Sequence, residues 1–363
     1  MNWKNCFVDP DITKAETLPP EAFTSKEFLD EEIEAIFKKC WLFVPQEGLE
    51  ILTKKFARVP FKMFGAPLFL QVDAADKLHC FSNICTHKWY TLVNAPEKGE
   101  KIICGQHGRE FSCDGKFLSH YGFDLCADFP RNSDNLREFA VSGTAQFIFI
   151  NMDSPLAPLQ DFVNDMLVYY IFSLNLNPLA LKRVKLKNEM RIVDGNWKQH
   201  VDNYLDNFHL TYIHSKSLAK AVLARSYTTD LYKYSAHQFV MAKDPAHGFS
   251  LKNPIFASWW FVWPNMAFNF YPWGLSVNVW MPVVGEPDKT FFFWYHYISD
   301  ESKYEKRNEI WLNDKVDKED IVAMEKVRDG ALSGFATRGR FSPDYEKASH
   351  WFHRKLYEKI ALE

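Results

Sequence analysis

The spacing of apolar positions changes character along the chain. Between residues 25 and 39, Phe28, Ile33, Ile36 and Phe37 recur at helical spacing among acidic residues, just after Pro19-Pro20. This predicts a short amphipathic helix. From Trp41 to about Met152 the apolar runs become short, β-branched and aromatic, at 57–60, 68–72, 78–83, 101–103 and 146–151. Turn residues such as Asp114-Gly115 and Ser142-Gly143 separate them. That pattern predicts a small antiparallel β domain. Residues 156–215 contain helical stretches, and 216–300 return to strands, clearest at 268–273, 276–282 and 291–298. Helical periodicity closes the chain at 316–331 and 343–360. The expected organisation is an N-terminal arm (1–40), a β domain (41–155) and an α+β domain (156–363).

Composition narrows the class. A length of 363 residues favours two domains, and 47% hydrophobic residues supply a sizeable core. A net charge of −3 gives no electrostatic case for nucleic acid or an anionic membrane surface. The apolar runs at 256–264 and 291–298 are too short to span a bilayer, and residues 1–11 lack a charged-then-apolar leader pattern. Twelve Trp and 32 Phe predict large apolar interior surfaces. Seven scattered cysteines, an odd number, fit a reducing compartment in which Cys is core filler or metal ligand. A cytoplasmic protein is expected.

Two constellations carry chemistry. Cys85-Thr86-His87 is followed, after sixteen intervening residues, by Cys104-Gly105-Gln106-His107. Zinc fingers group two Cys together and two His together. One Cys and one His per loop is instead what a Rieske [2Fe–2S] cluster needs, with both Cys on one iron and both His on the other. Gly105 and Gly108 fit a backbone that approaches a cluster closely. Cys6, Cys40, Cys80, Cys113 and Cys126 lack matching His and read as buried small residues; His79 and His120 are near the pair in sequence only.

The second constellation is Asp206-x-x-His209-x-x-x-x-His214, preceded by Asn203. Two imidazoles and one carboxylate on one face of an iron make the facial triad of Fe(II) oxygenases. Asp206 and His209 share a helix face, but His209 and His214 lie about 140° apart on a regular helix. A π-like turn or a helix end is therefore expected at 210–213. Asp206 would then hold an imidazole by hydrogen bond, and the third ligand comes from elsewhere. Asp320 is the candidate, on the helix face of Met324, Val327 and Ala331, with Glu319, Asp317 and Glu325 expected to face other ways. The competing role for Asp320 is a solvated first-turn acid favoured by the helix dipole. Asn203 is a candidate positioning or pocket residue. Residues 259–263 and 268–280 are expected to help line the pocket.

With both constellations in place, the chain resembles the α-subunits of Rieske non-haem iron oxygenases, the ring-hydroxylating dioxygenase family. Gly339-Arg340-Phe341-Ser342-Pro343, His350-Trp351-Phe352-His353 and Asn269-Phe270-Tyr271-Pro272-Trp273-Gly274 look like its choline-monooxygenase-like branch. One departure is Lys88-Trp89, where the family commonly has Arg-Gly after the first cluster His. The resemblance implies a helix-grip catalytic domain, a [2Fe–2S] cluster on Cys85, His87, Cys104 and His107, and Fe(II) on His209, His214 and Asp320. It also implies a homotrimer in which Asp206 faces a neighbour's His107 or His87. It implies mono- or dioxygenation with O₂ and electrons from a separate NAD(P)H-dependent flavin/iron–sulfur reductase or a ferredoxin. Three substrate classes stand open: a quaternary amine, an aromatic acid and a natural-product scaffold such as a polyketide. The alternative function is a Rieske-type electron-transfer protein without oxygenase activity, which would hold no mononuclear iron.

Overall fold

The computed structural model describes residues 3–144, 146–153, 157–174 and 180–361. Met1–Phe37 and Ala157–Glu363 form one compact unit, and Lys38–Leu156 form the other.

The Lys38–Leu156 unit is antiparallel β throughout its sheets. Its larger sheet runs in the order Leu42–Phe43, Phe147–Asn151, Glu138–Thr144, Leu78–Ser82, Ala66–Val72, Ala57–Met63 and Glu97–Lys98. A three-stranded sheet follows, with Lys101–Ile103, Glu110–Ser112 and Phe117–Ser119. Apolar residues from both sheets, including Phe69, Phe81, Ile102 and Phe111, share one core with Cys85 and Cys104. Cys80 is buried as expected, but Cys113 is half-buried and Cys126 is exposed. These last two sit on or near surface turns, where small size earns no burial.

The other unit is α+β. Glu286–Ile298 pairs with Lys182–Val184, Met190–Asp194 and Gly274–Val283. The sheet then continues through Met266–Tyr271, Ile255–Val262, Ser235–Met241 and Thr228–Leu231. Every residue of Gly274–Val283 is buried, so this strand is covered on both faces. Pro282 falls where the register shifts, a place where the missing N–H costs no ladder bond. Helices Trp197–Leu205, Asn313–Leu332 and Lys347–Ala361 gather beside it. The stretch expected to be helical, 156–215, does hold helices Leu159–Phe172 and Trp197–Leu205. It also holds the strands Lys182–Val184 and Met190–Asp194, because the long Glu286–Ile298 strand offers an edge to pair with. Positions 156 and 175–179 lie outside the described residues.

The N-terminal arm belongs to this unit through specific bonds. Arg338 donates to the carbonyls of Thr17 and Phe7, and Arg340 to that of Ala15. His350 Nε2 donates to Asp9 O at 2.7 Å, and Leu18 N–H donates to His353 Nδ1 at 3.0 Å. The branch-like motifs near the C-terminus therefore fasten the arm. Deeper in, Lys198 Nζ lies 2.6 Å from Glu32 Oε1, both side chains being fully buried, and Trp197 Nε1–H donates to Glu32 Oε2.

Candidate metal centres

The two cysteine–histidine loops are built alike. Cys85 N–H donates to Tyr90 O at 2.8 Å and Trp89 N–H to Cys85 O at 3.0 Å. In the second loop Cys104 N–H donates to Arg109 O at 2.8 Å and Gly108 N–H to Cys104 O at 2.9 Å. The fourth residue after each Cys turns left-handed: Trp89 at φ 61° and Gly108 at φ 71°. Gly108 thus serves the turn, which explains it better than close approach to a cluster. Trp89 occupies the same backbone state at a cost of roughly 1–2 kcal/mol, with its ring 82% exposed. The thiols are buried at the floor, His87 is half-buried and His107 is exposed, and the two imidazole rings are 4.9 Å apart.

The donor set fits a [2Fe–2S] cluster. Burial pushes the Cys85 thiol up, so a thiolate there needs a compensating cation. The buried Nδ1 of His87 has no hydrogen-bond partner, as an atom reserved for a metal would.

The second constellation is assembled by three elements. Helix Trp197–Leu205 starts with a capping box: Asn196 Oδ1 accepts from Lys198 N–H, and Gln199 Oε1 accepts from Asn196 N–H. Trp197, Val201 and Leu205 bury one face of it. The helix ends at Leu205, with Asp206 as its C-cap, and a 3₁₀ turn covers Phe208–Thr211. The break expected at 210–213 therefore comes earlier. Asp206 causes it, its Oδ1 accepting from Phe208 N–H in an Asx-type turn. The tighter turn then brings the two imidazoles together, with ring centroids 5.1 Å apart.

Helix Asn313–Leu332 supplies Asp320. One ligand atom each from His209, His214 and Asp320 lie within 4.8 Å of one another. Asp320 Oδ1 is 3.1 Å from His214 Nε2 and 3.8 Å from His209 Nε2. The outer nitrogens are taken by carboxylates: His209 Nδ1 is 3.2 Å from Asp206 Oδ2, and His214 Nδ1 is 2.8 Å from Glu319 Oε2. A carboxylate only accepts, so each Nδ1 carries a proton, which leaves each Nε2 as the nitrogen that would bind a metal. Burial disfavours the His214 imidazolium, but Asp320 and Glu319 outweigh it and raise the pKa. Two imidazoles and one carboxylate arranged this way suit a divalent cation. Asn203 Nδ2–H donates to Asp320 Oδ1 at 3.0 Å, fixing that carboxylate.

Comparisons with known proteins place both stretches of the chain in known domain families. Residues 46–122 match the Rieske [2Fe-2S] domain family, and residues 178–362 match the ring hydroxylating alpha subunit catalytic domain family. The chain belongs to the Rieske ring-hydroxylating oxygenase family. It is 26% identical over 365 residues to the carnitine monooxygenase oxygenase subunit of Acinetobacter pittii, covering 96% of this chain and 94% of that one. It is 24% identical over 373 residues to the chloroplastic choline monooxygenase of Arabidopsis thaliana, covering 98% and 86%. Among solved structures, a quaternary ammonium Rieske monooxygenase superposes with a TM-score of 0.79 at 22% identity, covering 96% and 97%. The chain is thus the terminal component of an oxygenase that uses O₂ and electrons from a separate reductase. Among the described residues no helix is long and apolar enough to cross a membrane.

The oxygenase has a cavity beside the triad, lined by Asn203, Asp206, His209, His214 and Asp320 and by a ring of aromatic groups. Strand alternation sorts the expected lining residues. Trp259, Asn269, Tyr271, Ser276, Asn278 and Trp280 face the cavity, whereas Trp260 stacks on His237 and Trp263 packs on Phe352. Two acids expected to point elsewhere face the site. Asp317 precedes Asp320 by three residues and so shares its helix face, lining the cavity. Glu319 lies one step round the helix and reaches the outer side of His214. Met324 is buried as expected, but Val327 is exposed.

Glu319 also accepts from Ser217 Oγ–H. Glu319→Gln keeps the volume but weakens the anchor on His214. Iron affinity is expected to fall roughly 10–100-fold in an iron titration, with the cluster's visible absorption unchanged.

Proposed function

We propose that this oxygenase oxidises a small organic cation of the quaternary or tertiary amine class, with Cys85, His87, Cys104 and His107 holding the cluster and His209, His214 and Asp320 holding Fe(II). The carrying observation is the charge of the cavity. Tyr204, Tyr227, Trp259, Tyr271, Trp280 and Trp311 line it together with Asp206, Asp317 and Asp320, and no Lys or Arg is among the lining described residues. Aromatic faces and carboxylates stabilise a cation and offer a substrate carboxylate no partner. Burial, and next the charge of Asp320, push Asp317 up to about 7. An incoming cation relieves both penalties at once. The quaternary ammonium and choline-type relatives support the same class.

Bound Fe(II) supplies O₂ activation, and the cluster supplies electrons one at a time. The chain's own part is positional. Asp206 and Glu319 orient the imidazoles, Asn203 orients Asp320, and the aromatic walls exclude water and hold the substrate. The same reading places Asp206 against a neighbouring subunit's cluster histidine in a homotrimer, and the protein in a reducing, cytoplasmic compartment.

The test is a substrate panel: N-methylated amines, their neutral tert-butyl isosteres and benzoates, scored by substrate-dependent O₂ uptake coupled to product. Amines should be the substrates. Asp317→Asn should raise KM for the preferred amine about 10-fold, the size of one desolvated charge contact, with kcat little changed. Turnover of benzoates or neutral isosteres in preference to amines would overturn the class.

A further inference from the structure

The first centre contains a charged group that its ligand motif does not require. Arg109, immediately behind the second loop, is 2% exposed. Its Nη1 donates to Thr86 Oγ1 at 2.8 Å, and Thr86 sits between Cys85 and His87. The same nitrogen lies 3.0 Å from Asp134 Oδ1. Its Nε–H donates to His120 Nδ1 at 3.0 Å. The guanidinium also sits 5.3 to 5.4 Å from the ring centroids of Phe117, Phe123 and Phe129.

His120 carries this charge's influence to both imidazoles. Its ring centroid is 4.8 Å from that of His87, and it hydrogen-bonds the backbone of His107. Because Arg109 Nε–H donates to His120 Nδ1, the guanidinium also holds the ring that lies against His87. A permanently charged group in a dry setting beside a redox centre acts on the electron affinity of that centre. Gaining one electron makes a [2Fe–2S] centre more negative by one charge, and a nearby buried cation favours that state. Asp134 opposes the cation at the same nitrogen that reaches Thr86, and its side chain is partly exposed, 17% accessible against 2% for Arg109.

We propose that Arg109, linked to the first loop through Thr86, is a positioning residue that raises the reduction potential of the cluster held by Cys85, His87, Cys104 and His107, and that Asp134 moderates it. The electron comes from the separate reductase; the proposal rests on the ligand assignment made under Proposed function. No proton transfer is involved, since Arg109 stays charged throughout.

The test is the midpoint potential of the iron-loaded holoenzyme, measured by dye-mediated dithionite titration and followed by visible absorption and EPR. Arg109→Gln should shift the potential down, and Arg109→Lys should restore most of the difference because it keeps the charge. Asp134→Asn, which leaves the cation unopposed, should shift it up. Opposite signs for the Arg109 and Asp134 variants separate an electrostatic role from a structural one, since loosened packing would not reverse sign. Should Arg109→Gln fail to retain the cluster, Asp134→Asn decides alone. An unchanged or lowered potential in Asp134→Asn, or an unchanged one in a cluster-loaded Arg109→Gln, overturns the proposal. Loss of visible absorption in every variant, wild type included, would instead break the ligand assignment.

Discussion

Asp320→Ala is expected to purify as a coloured protein with an intact cluster spectrum and no detectable product. Its iron content should drop by about one iron in three, the share of a mononuclear site beside a two-iron cluster. Among the described residues, Asp320 alone has a carboxylate oxygen close to both inward-facing imidazole nitrogens. Without it the two histidines make an incomplete facial set. Folding should not suffer. Asp320 lies mid-helix with its side chain 27% exposed, and its charge raises the energy of ionised Asp317. Thermal stability of the metal-free variant should therefore equal or exceed that of the metal-free parent. The measurements are metal analysis, product assay and a melting curve with and without chelator. Full activity in Asp320→Ala would remove the carboxylate from the ligand set, and a colourless protein would show that the two centres are not independent.

The largest stability effect should come from the arm. Glu32→Ala leaves the Lys198 ammonium fully buried without its counter-charge, and strips Trp197 Nε1 of its acceptor. Burial pushes Glu32 up and Lys198 down, so each depends on the other to stay charged. Breaking such a pair from one side costs about 3–5 kcal/mol. Replacing both partners with apolar residues of similar size, Glu32→Leu with Lys198→Met, should recover most of that loss. Urea denaturation of the parent and the two variants checks both statements. A loss below about 1 kcal/mol for Glu32→Ala would mean that water reaches the pair. Because Lys198 opens the helix that ends at Asp206, the single variant should also bind iron more weakly than the double.

How much of this was legible in the sequence depended on distance along the chain. Cys85, His87, Cys104 and His107 could be read from spacing because two short loops carry the donor set. His209 and His214 were visible too, but their joint geometry was not. The turn that unites them depends on the Asp206 side chain accepting from Phe208 N–H just past the helix end, a local bond that periodicity does not report. Glu319 reaches His214 across 105 positions, and only the packing of two helices makes that contact. Asp317 was within reach of helix arithmetic, being three residues before Asp320. His120 reads from the sequence as near the pair in sequence only, yet its ring lies against that of His87. The strands Lys182–Val184 and Met190–Asp194 are short, and the edge they pair with lies about a hundred residues downstream.

The arm, finally, gives the molecule an order of assembly. Residues 9 to 18 are latched by Arg338, Arg340, His350 and His353. On the ribosome, residues 9–18 must wait for residues 338–353, more than three hundred positions later, before these bonds can form. The two cysteine–histidine loops, in contrast, lie within one uninterrupted stretch and have all their partners by the time residue 156 emerges. Translation thus finishes the part that stores an electron before it can close the part that meets oxygen, and a chain stopped before residue 338 would leave residues 9–18 unlatched.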